Sequence, residues 1–338
     1  KTLLKVEKSE QILNPHSQQL LKFKKGGIVF FSTGTTGKPK AILHSLENFL
    51  KPYRERKKPH RSIGFLVFDH IGGFNTLFHL LFNSGTIYRT KTRGIDEILG
   101  LIKKHNLTLL PTTPTFLRLL ICHPLFPKNI PECLKVISYG TEIMHKSTLE
   151  ILTKNLPNII FKQTYGMSEI GILPVRSKAS DSTKITIKRD ENIDWRIEKD
   201  STLSIKSNLS MVCYLNADSP FDEKGWLNTG DIVSTKDNFY FEIIGRKKNF
   251  INVGGLKVLP SEIENIANNY DGVLRSKAEG ICNPITGEYI KLTIEPIENG
   301  VLDINNFKSY LSQRLPKSKL PSQIKLSSIK LSHRMKQS

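Results

Sequence analysis

Short apolar runs alternate with helix-length stretches through the first half of the chain. Five runs have strand character: GGIVFFS (26–32), SIGFLVF (62–68), NLTLLPT (106–112), LKVISYG (134–140) and NIIFKQT (158–164). Between them, GFNTLFHLLFNSG and IDEILGLIKKHN have the length of helices, and the second carries apolar residues three or four positions apart. This alternation predicts an α/β fold whose large domain contains a doubly wound, mostly parallel sheet.

The pattern changes after about Lys184. Short alternating segments (KITIK, TLSIKS and NFYFEII), separated by Asn, Asp and Gly, predict a small antiparallel β region that extends to about Ile244. The stretch GRKKNFINVGG indicates a junction, and helices are expected near 260–269 and 303–313. We therefore expect a large domain over residues 1–245 and a small α+β domain over residues 246–338.

The composition is that of an ordinary globular protein of 338 residues. Hydrophobic residues make up 38% and charged residues 24%, which argues against disorder and against collagen, and the length predicts about two domains. The four cysteines are scattered without a C-x-x-C pair, so a reduced, cytoplasmic compartment is expected. The longest apolar stretch, 63–82, is interrupted by Asp, His and Asn, so no transmembrane segment is predicted.

The chain is strongly basic, with 50 Lys and Arg against 31 Asp and Glu and a formal charge of +19. Such a charge is compatible with binding to nucleic acid or to an anionic membrane surface. However, no RNA-recognition, zinc-finger or helix-turn-helix signature accompanies it, and most of the basic residues are Lys. This favours lysines on solvated faces, and we expect no nucleic-acid partner.

The clearest local pattern is the string STGTTGKPK, residues 32–40, which directly follows the first predicted strand. Phosphate binding needs several backbone N–H groups aimed at one point, and glycine permits the required backbone angles. Hydroxyls add donors and lysine adds positive charge. The string differs from a Walker loop because only two residues separate Gly34 from Gly37 and Pro39 follows the lysine. Alone, it is also compatible with an ordinary turn.

The nine-residue string resembles the phosphate loop of the adenylate-forming superfamily, which includes acyl-CoA synthetases, firefly-type luciferases and the adenylation domains of peptide synthetases. QTYGMSE (163–169) is similar to the family's Tyr-Gly-x-Thr-Glu element, with Ser for Thr, and GWLNTGD (225–231) to its Thr-Gly-Asp element. GRKK (245–248), followed by VGG and PSEIE, resembles the hinge and the start of the mobile small domain. The resemblance extends from about Gly27 to the C-terminus.

The resemblance implies a reaction in two steps. A carboxylate attacks the α-phosphate of Mg·ATP and releases pyrophosphate, and a thiol then attacks the acyl-adenylate and releases AMP. The resemblance assigns ATP or AMP contacts to Ser32, Thr33, Gly34, Thr35, Thr36, Gly37, Lys38, Gly140, Thr141, Glu142, Thr164, Tyr165, Gly166, Ser168, Asp231 and Arg246.

Several of these residues have specific roles in the resemblance. The loop would cradle the β- and γ-phosphates, Ser168 would contact the α-phosphate, and Tyr165 would stack on adenine. Asp231 would accept hydrogen bonds from the ribose hydroxyls. Glu169 would hold Mg²⁺, a cation that prefers carboxylate and phosphate oxygens; without the motif it would be a carboxylate at a helix start.

Two further candidates have a competing structural interpretation. His70, in DHIGG (69–73), resembles a family residue that lines the acyl site and is the candidate gate between the nucleotide and acyl pockets. The alternative is a helix capped by Asp69 beside a hydrogen-bonded His70. Lys336, in SHRMK (332–336), is similar to the family's catalytic lysine, although Met335 replaces the usual Gly. The alternative is a basic tail.

The small domain of the family rotates between the two steps. By resemblance, Lys248 is the hinge, and Gly254 and Gly255 line the tunnel through which the thiol arm reaches the acyl carbon.

The resemblance implies an AMP-forming acyl-CoA ligase, with ATP, Mg²⁺ and CoA as cofactors or co-substrates and a small carboxylic acid as partner. Two alternatives remain open: an adenylation enzyme that delivers its acyl group to a separate carrier protein, and a non-catalytic adenylate-binding remnant. The loop starts already at Ser32, whereas family members carry a further subdomain before it. A compact member and a fragment are both compatible with this start.

Overall fold

A computed structural model of the chain describes residues 26–32, 39–237, 239–283, 287–297 and 302–332. The loop residues Thr33, Gly34, Thr35, Thr36, Gly37 and Lys38, and the candidate Lys336, lie outside the described residues. The described helices are α1 (Leu46–Leu50), α2 (Ile71–Phe82), α3 (Ile95–His105), α4 (Pro114–Ile121), α5 (Lys146–Asn155), α6 (Pro260–Ala267) and α7 (Ile304–Ser312). Single 3₁₀ turns span Lys51–Tyr53, Lys247–Asn249 and Lys317–Lys319.

The strands form five sheets in the described part of the chain. They are β1 (Gly27–Ser32), β2 (Lys40–Ser45), β3 (Arg61–Ile63), β4 (Thr86–Tyr88), β5 (Leu109–Thr112), β6 (Val136–Tyr139), β7 (Ile160–Gln163), β8 (Tyr165–Met167), β9 (Gly171–Leu173), β10 (Val175–Ser177), β11 (Ile185–Ile187), β12 (Ile193–Ile197), β13 (Thr202–Ser207), β14 (Cys213–Tyr214), β15 (Leu227–Thr235), β16 (Phe241–Arg246), β17 (Ile251–Val253), β18 (Leu256–Val258), β19 (Val273–Asn283), β20 (Gly287–Pro296) and β21 (Gln323–Leu326).

The predicted parallel sheet is present, with the strand order β4-β3-β5-β6-β7 and every pair parallel. Because the chain reverses its direction of winding between β3 and β5, the carboxyl ends of these two strands border a crevice, which is where doubly wound sheets bind ligands. Helices α3, α4 and α5 pack on this sheet through fully buried side chains such as Ile98, Phe116 and Leu149. The fold class is therefore confirmed as α/β.

Strand β3 is shorter than predicted. The apolar run 62–68 predicts seven strand residues, but pairing with β4 ends at the Ile63–Tyr88 pair. Within the following loop Phe65 is buried and packs edge-on against Phe116 of α4 with ring centroids 4.8 Å apart, whereas Phe68 is exposed. Burial of a loop and burial of a strand give the same apolar pattern.

Two antiparallel sheets flank the parallel one. The three-stranded sheet β1-β2-β14 contains the two strands that precede and follow residues 33–39 in the sequence. The six-stranded sheet β10-β11-β16-β15-β13-β12 is the predicted antiparallel region, although it already begins at Val175. It has its own core, which includes Trp195 and Phe241.

The C-terminal part contains a five-stranded sheet, β17 to β21, with α6 and α7 packed on it. Its core is a separate cluster that runs from Ile251 to Leu315. Both helices agree with the expected positions. The boundary between domains near residue 245 stays a prediction. None of the described helices has both the length and the apolar character that a membrane span requires.

Candidate functional site

A cavity of about 390 Å³, here called the edge cavity, opens at the carboxyl ends of β3, β5 and β6 and at the start of α2. It lies at the reversal point of the parallel sheet, as expected for a ligand site in this architecture. Among the residues proposed from the sequence, those that line it are Ser32, His70, Gly140, Thr141, Thr164, Gly166, Ser168, Glu169, Arg246 and Lys248. The fold thus brings four motif segments (32–40, 69–73, 163–169 and 245–248) to one cavity, together with Gly140 and Thr141. Asp231 and Tyr165 are not among the lining residues.

The wall beside β6 depends on a close approach of two backbone segments. A Cβ atom at Gly140 would collide with the backbone and hydroxyl oxygens of Thr164, whose N–H donates to the carbonyl of Tyr139 over 2.7 Å. Thr141 follows with φ +72°, a left-handed conformation that costs a β-branched residue roughly 1–3 kcal/mol. Glu142 accepts a hydrogen bond from the Thr115 N–H and faces away from the edge cavity toward the C-terminal part.

Asp231 is buried and held by two side chains. Its register partner across β15 and β16 is Arg246, whose Nε lies 2.8 Å from Oδ1, while the Tyr165 hydroxyl donates to Oδ2 over 2.7 Å. Burial, then the carboxylate itself, raises the pKa of Tyr165 well above its usual value, so the phenol stays a donor. Tyr165 is buried and is not among the residues that line the edge cavity. Its stacking on adenine stays a prediction.

Ser168 and Glu169 lie in the turn between β8 and β9, and not at a helix start. Tyr214 of β14 donates from its hydroxyl to Oε1 of Glu169 over 2.7 Å. His44 of β2 contacts the carbonyl of Ser168 through Nε2 at 2.6 Å. Burial lowers the pKa of His44, so the neutral ring donates its Nε2–H.

The carboxylate of Glu169 has the chemistry to hold a magnesium ion that accompanies a triphosphate. Within the described residues no group of three or more His, Cys, Asp or Glu side chains is arranged to hold a metal by itself. Magnesium usually takes only one or two protein carboxylates and completes its shell with phosphate oxygens and water. A single carboxylate at the wall of a cavity satisfies that requirement, because one of its oxygens can bind the cation while Tyr214 holds the other.

His70 itself caps helix α2. Its Nδ1 accepts a hydrogen bond from the N–H of Gly72 over 3.1 Å, and its ring is 8% exposed. Of the alternative interpretation from the sequence, the hydrogen-bonded His70 is confirmed, whereas the cap is His70 and not Asp69. Since Nδ1 is an acceptor, the neutral ring carries its proton on Nε2. His70 borders the edge cavity, and its role as a gate stays a prediction.

The proposed hinge and tunnel residues are exposed. Lys248 lies in the 3₁₀ turn Lys247–Asn249, which follows Arg246. Partial burial and the charge of Arg246 lower the pKa of the Lys248 ammonium, while the charge of Asp231 acts in the opposite direction. Gly254 and Gly255 form the two-residue turn of the β17–β18 hairpin with φ +58° and +84°, angles that favour glycine. Their roles stay predictions.

A second cavity of about 550 Å³, here called the junction cavity, lies between α4, the segment after Thr141 and the C-terminal part. Arg118 of α4 is buried beside it and donates to the carbonyls of Asn268, Val273 and Leu274 over 2.6–2.8 Å. Burial raises the pKa of Glu264 to about 7 and lowers that of His145 to about 4. Arg246 and Lys248 border both cavities.

The sequence alone did not reveal His44, Tyr214, Arg118 or Glu264. His44, Tyr214 and Arg118 each contact a partner far along the chain, such as Ser168 at 124 positions from His44, so no local spacing marks them. Glu264 accepts a hydrogen bond from the Ala278 N–H, 14 positions away. The available signal is weak: His44 is a polar residue within a strand whose other central positions are buried and apolar.

The sequence profile of the AMP-binding enzyme family matches residues 6–204. The 3-[(3aS,4S,7aS)-7a-methyl-1,5-dioxo-octahydro-1H-inden-4-yl]propanoyl:CoA ligase of Rhodococcus jostii is 23% identical over 313 residues, which cover 88% of this chain and 60% of the relative. The 2-succinylbenzoate–CoA ligase of Staphylococcus epidermidis is 27% identical over 331 residues, covering 90% and 68%. The chain thus spans about 60–68% of the length of these relatives.

The same architecture occurs in solved structures. That of the anthranilate CoA ligase AuaEII in complex with anthranoyl-AMP superimposes with a TM-score of 0.80 at 15% identity, covering 93% of this chain and 66% of the other. This likeness confirms the fold. The profile match, which covers more than half of the sequence, shows that the chain belongs to the AMP-binding enzyme family, within the adenylate-forming superfamily.

Proposed function

We propose that the protein is an AMP-forming ligase that activates a small carboxylic acid with ATP and transfers the acyl group to the thiol of CoA. The observation that carries the proposal is the edge cavity, in which residues of four motifs meet at the reversal point of the parallel sheet. The names of the relatives, which are CoA ligases, support the choice of acceptor. The free thiols of all four cysteines suit a reduced, cytoplasmic location.

The nucleotide would be held at two ends. At the ribose end, Asp231 would accept hydrogen bonds from vicinal hydroxyls, since its charge is already balanced by Arg246 and its position is fixed by Tyr165. Gly140, Thr141 and Thr164 would form the wall beside the base, where the absent Cβ of Gly140 permits the close approach of Thr164.

At the phosphate end, Ser168 would donate to the α-phosphate and the loop 33–38 would surround the β- and γ-phosphates. Glu169 would hold Mg²⁺, which when bound neutralises charge on the phosphate oxygens. His70 would separate the nucleotide from the acyl group, with its Nε2–H directed by the hydrogen bond at Nδ1. The chain's contribution is positioning and charge stabilisation, the main requirements of an in-line displacement at phosphorus.

The second half-reaction would use a different orientation of the C-terminal part. We propose that residues 246–338 form the mobile domain, that Lys248 is the pivot, and that Lys336 acts on the carboxylate in the first step only. The separate core of residues 251–315 supports this division, because a segment with its own core can move without exposing its apolar side chains. Gly254 and Gly255 would then border the path of the thiol.

Product analysis tests the assignment. The protein is incubated with Mg²⁺, ATP, CoA and single acids from fatty, aromatic and amino acid sets, and AMP and thioester are quantified by chromatography and mass spectrometry. We expect equal amounts of AMP and acyl-CoA with one class of acid. An acyl-adenylate that forms but does not react with CoA would instead identify a carrier protein as the acceptor. Absence of both products would contradict a ligase.

A further inference from the structure

The carboxylate of Glu169 receives a hydrogen bond from a tyrosine that none of the sequence motifs contains. The hydroxyl of Tyr214 lies 2.7 Å from Oε1, and the tyrosine is only 4% exposed. The two residues are 45 positions apart, so the contact is a product of the fold. In this pair the phenol is the donor and the carboxylate the acceptor.

Tyr214 is held firmly enough to fix the carboxylate. Strand β14 pairs with β2, where Tyr214 is opposite Ile42. The ammonium of Lys40 lies 4.6 Å from the centre of the Tyr214 ring, a cation–π contact. Strand β2 begins at Lys40, so the sheet that carries Tyr214 also contains the strand that follows residues 33–38 in the sequence.

The backbone on which Glu169 is mounted is fixed as well. The ring of His44, also on β2, holds the carbonyl of Ser168, and the carbonyl of Glu169 accepts a hydrogen bond from the N–H of Met211 over 2.7 Å. With the backbone anchored on both sides, the remaining freedom of Glu169 is rotation of its side chain. The hydrogen bond from Tyr214 removes that freedom.

We propose that Tyr214 is a positioning residue for the divalent cation: its hydroxyl holds Oε1 of Glu169 and thereby presents the second carboxylate oxygen to the metal. The proposal rests on the proposed function, since the cation is the one that accompanies ATP. Groups that orient a metal-binding carboxylate usually contribute about 10- to 100-fold to metal affinity or activity.

Calorimetric binding of two nucleotides to the Tyr214→Phe variant tests the proposal. Phenylalanine keeps the ring under Lys40 and removes only the hydroxyl. We expect Mg·ATP to bind about tenfold more weakly than to the unmodified protein. Metal-free AMP should bind within about twofold, because it needs neither the cation nor Glu169. The matched control is Tyr310→Phe, which removes a hydroxyl bonded to the Ile266 carbonyl in the C-terminal core and should leave both affinities unchanged.

A double-mutant cycle sharpens the test. In a Glu169→Gln background the loss of the Tyr214 hydroxyl should change Mg·ATP affinity by less than about twofold, since the charged carboxylate that it orients is gone. An unchanged Mg·ATP affinity in the single variant would overturn the proposal. Equal weakening of AMP and Mg·ATP, or loss of both, would overturn it too, because the hydroxyl would then support the fold and not the cation.

The experiment separates this proposal from the proposed function. It requires neither a carboxylic acid nor a thiol, so a protein that forms no product with any acid still gives a decisive binding result. Conversely, normal thioester formation by a variant with unchanged Mg·ATP affinity would contradict only the role of Tyr214.

Discussion

The two cavities are stabilised by different kinds of contact. Beside the edge cavity, Arg246, which lines it, pairs with the buried Asp231, and Tyr165 also donates to that carboxylate; all three lie within residues 165–246. At the junction cavity, the guanidinium of Arg118 is buried against backbone carbonyls that belong to the C-terminal segment. The ion pair beside the edge cavity joins two neighbouring strands, whereas the hydrogen bonds at the junction cavity join segments that are far apart in the sequence.

This difference predicts which contacts would survive a change in the orientation of the C-terminal segment. The Asp231–Arg246 pair precedes Lys248, the proposed pivot, and the core of residues 251–315 is a separate cluster. We therefore expect this pair to remain in place if the segment after Lys248 changes its orientation. The three hydrogen bonds of Arg118 join α4 to the C-terminal segment, so a change in the orientation of that segment would break them. We therefore expect changes at the edge cavity to affect ligand affinity, and changes at the junction to affect how firmly the C-terminal segment is docked.

The largest effect is expected from Arg118→Leu. Three carbonyls would lose a charged donor, and each buried acceptor left without a partner costs about 1–3 kcal/mol, so the docked orientation should lose roughly 3 kcal/mol or more. Hydrogen exchange measured by mass spectrometry should accelerate at least tenfold across residues 268–280. Affinity for AMP should change by less than about threefold.

The matched control is Arg61→Leu, which removes an exposed guanidinium that donates to the His105 carbonyl within one part of the chain. Its hydrogen exchange across residues 268–280 should equal that of the unmodified protein. Unaltered exchange in Arg118→Leu itself would show that other contacts dock the segment.

A smaller effect is expected from Asp231→Asn. The amide keeps the shape of the side chain but loses its charge, and a hydrogen bond to a charged group is worth about 1.5–3 kcal/mol. AMP should bind roughly 10- to 100-fold more weakly by calorimetry, without faster hydrogen exchange at residues 268–280. Asp200→Asn, at an exposed carboxylate paired with Lys247 over 2.8 Å, serves as control and should bind AMP normally.

The smallest effect is expected from the pH dependence of Glu264. Burial raises its pKa from 4.5 to about 7, so the folded protein binds more protons than the unfolded chain between these values. The contribution of Glu264 to stability therefore falls as the pH rises through this window. Glu264→Gln stays neutral, and its free energy of unfolding relative to the unmodified protein should rise by roughly 2 kcal/mol between pH 5 and pH 8.

Comparing the free energy of unfolding of Glu264→Gln with that of the unmodified protein separates the contribution of Glu264 from that of His145. Burial lowers the pKa of His145 to about 4, which makes stability fall at acidic pH, but this happens in both proteins and cancels in the difference. Urea unfolding at several pH values measures the effect. Glu262→Gln, at a more exposed carboxylate paired with Lys319, should show no such trend. A flat difference for Glu264→Gln would contradict the raised pKa.

The sequence predicted the elements that local patterns determine. Runs such as 106–112 and 134–140 became β5 and β6 because apolar residues bounded by breakers have few alternatives to a buried strand. The motif residues Gly140, Ser168 and Glu169 could be placed in one site by resemblance, and the fold brings them to one cavity.

The remainder depends on long-range packing. The end of β3 is set by the length of its partner β4, which the pattern around Ile63 does not contain. The contact of Arg118 with Leu274 spans 156 positions, and that of Tyr214 with Glu169 requires two strands and a turn to be assembled first. Spacing along the chain carries no information about such pairs.

The most direct test of the central claim is carboxylate-dependent exchange of pyrophosphate into ATP, measured with fatty, aromatic and amino acids in the absence of thiol. We predict exchange with one class of acid, abolished or strongly reduced in Asp231→Asn. A folded protein that binds Mg·ATP yet exchanges pyrophosphate with none of these acids would contradict the claim that the edge cavity forms acyl-adenylates.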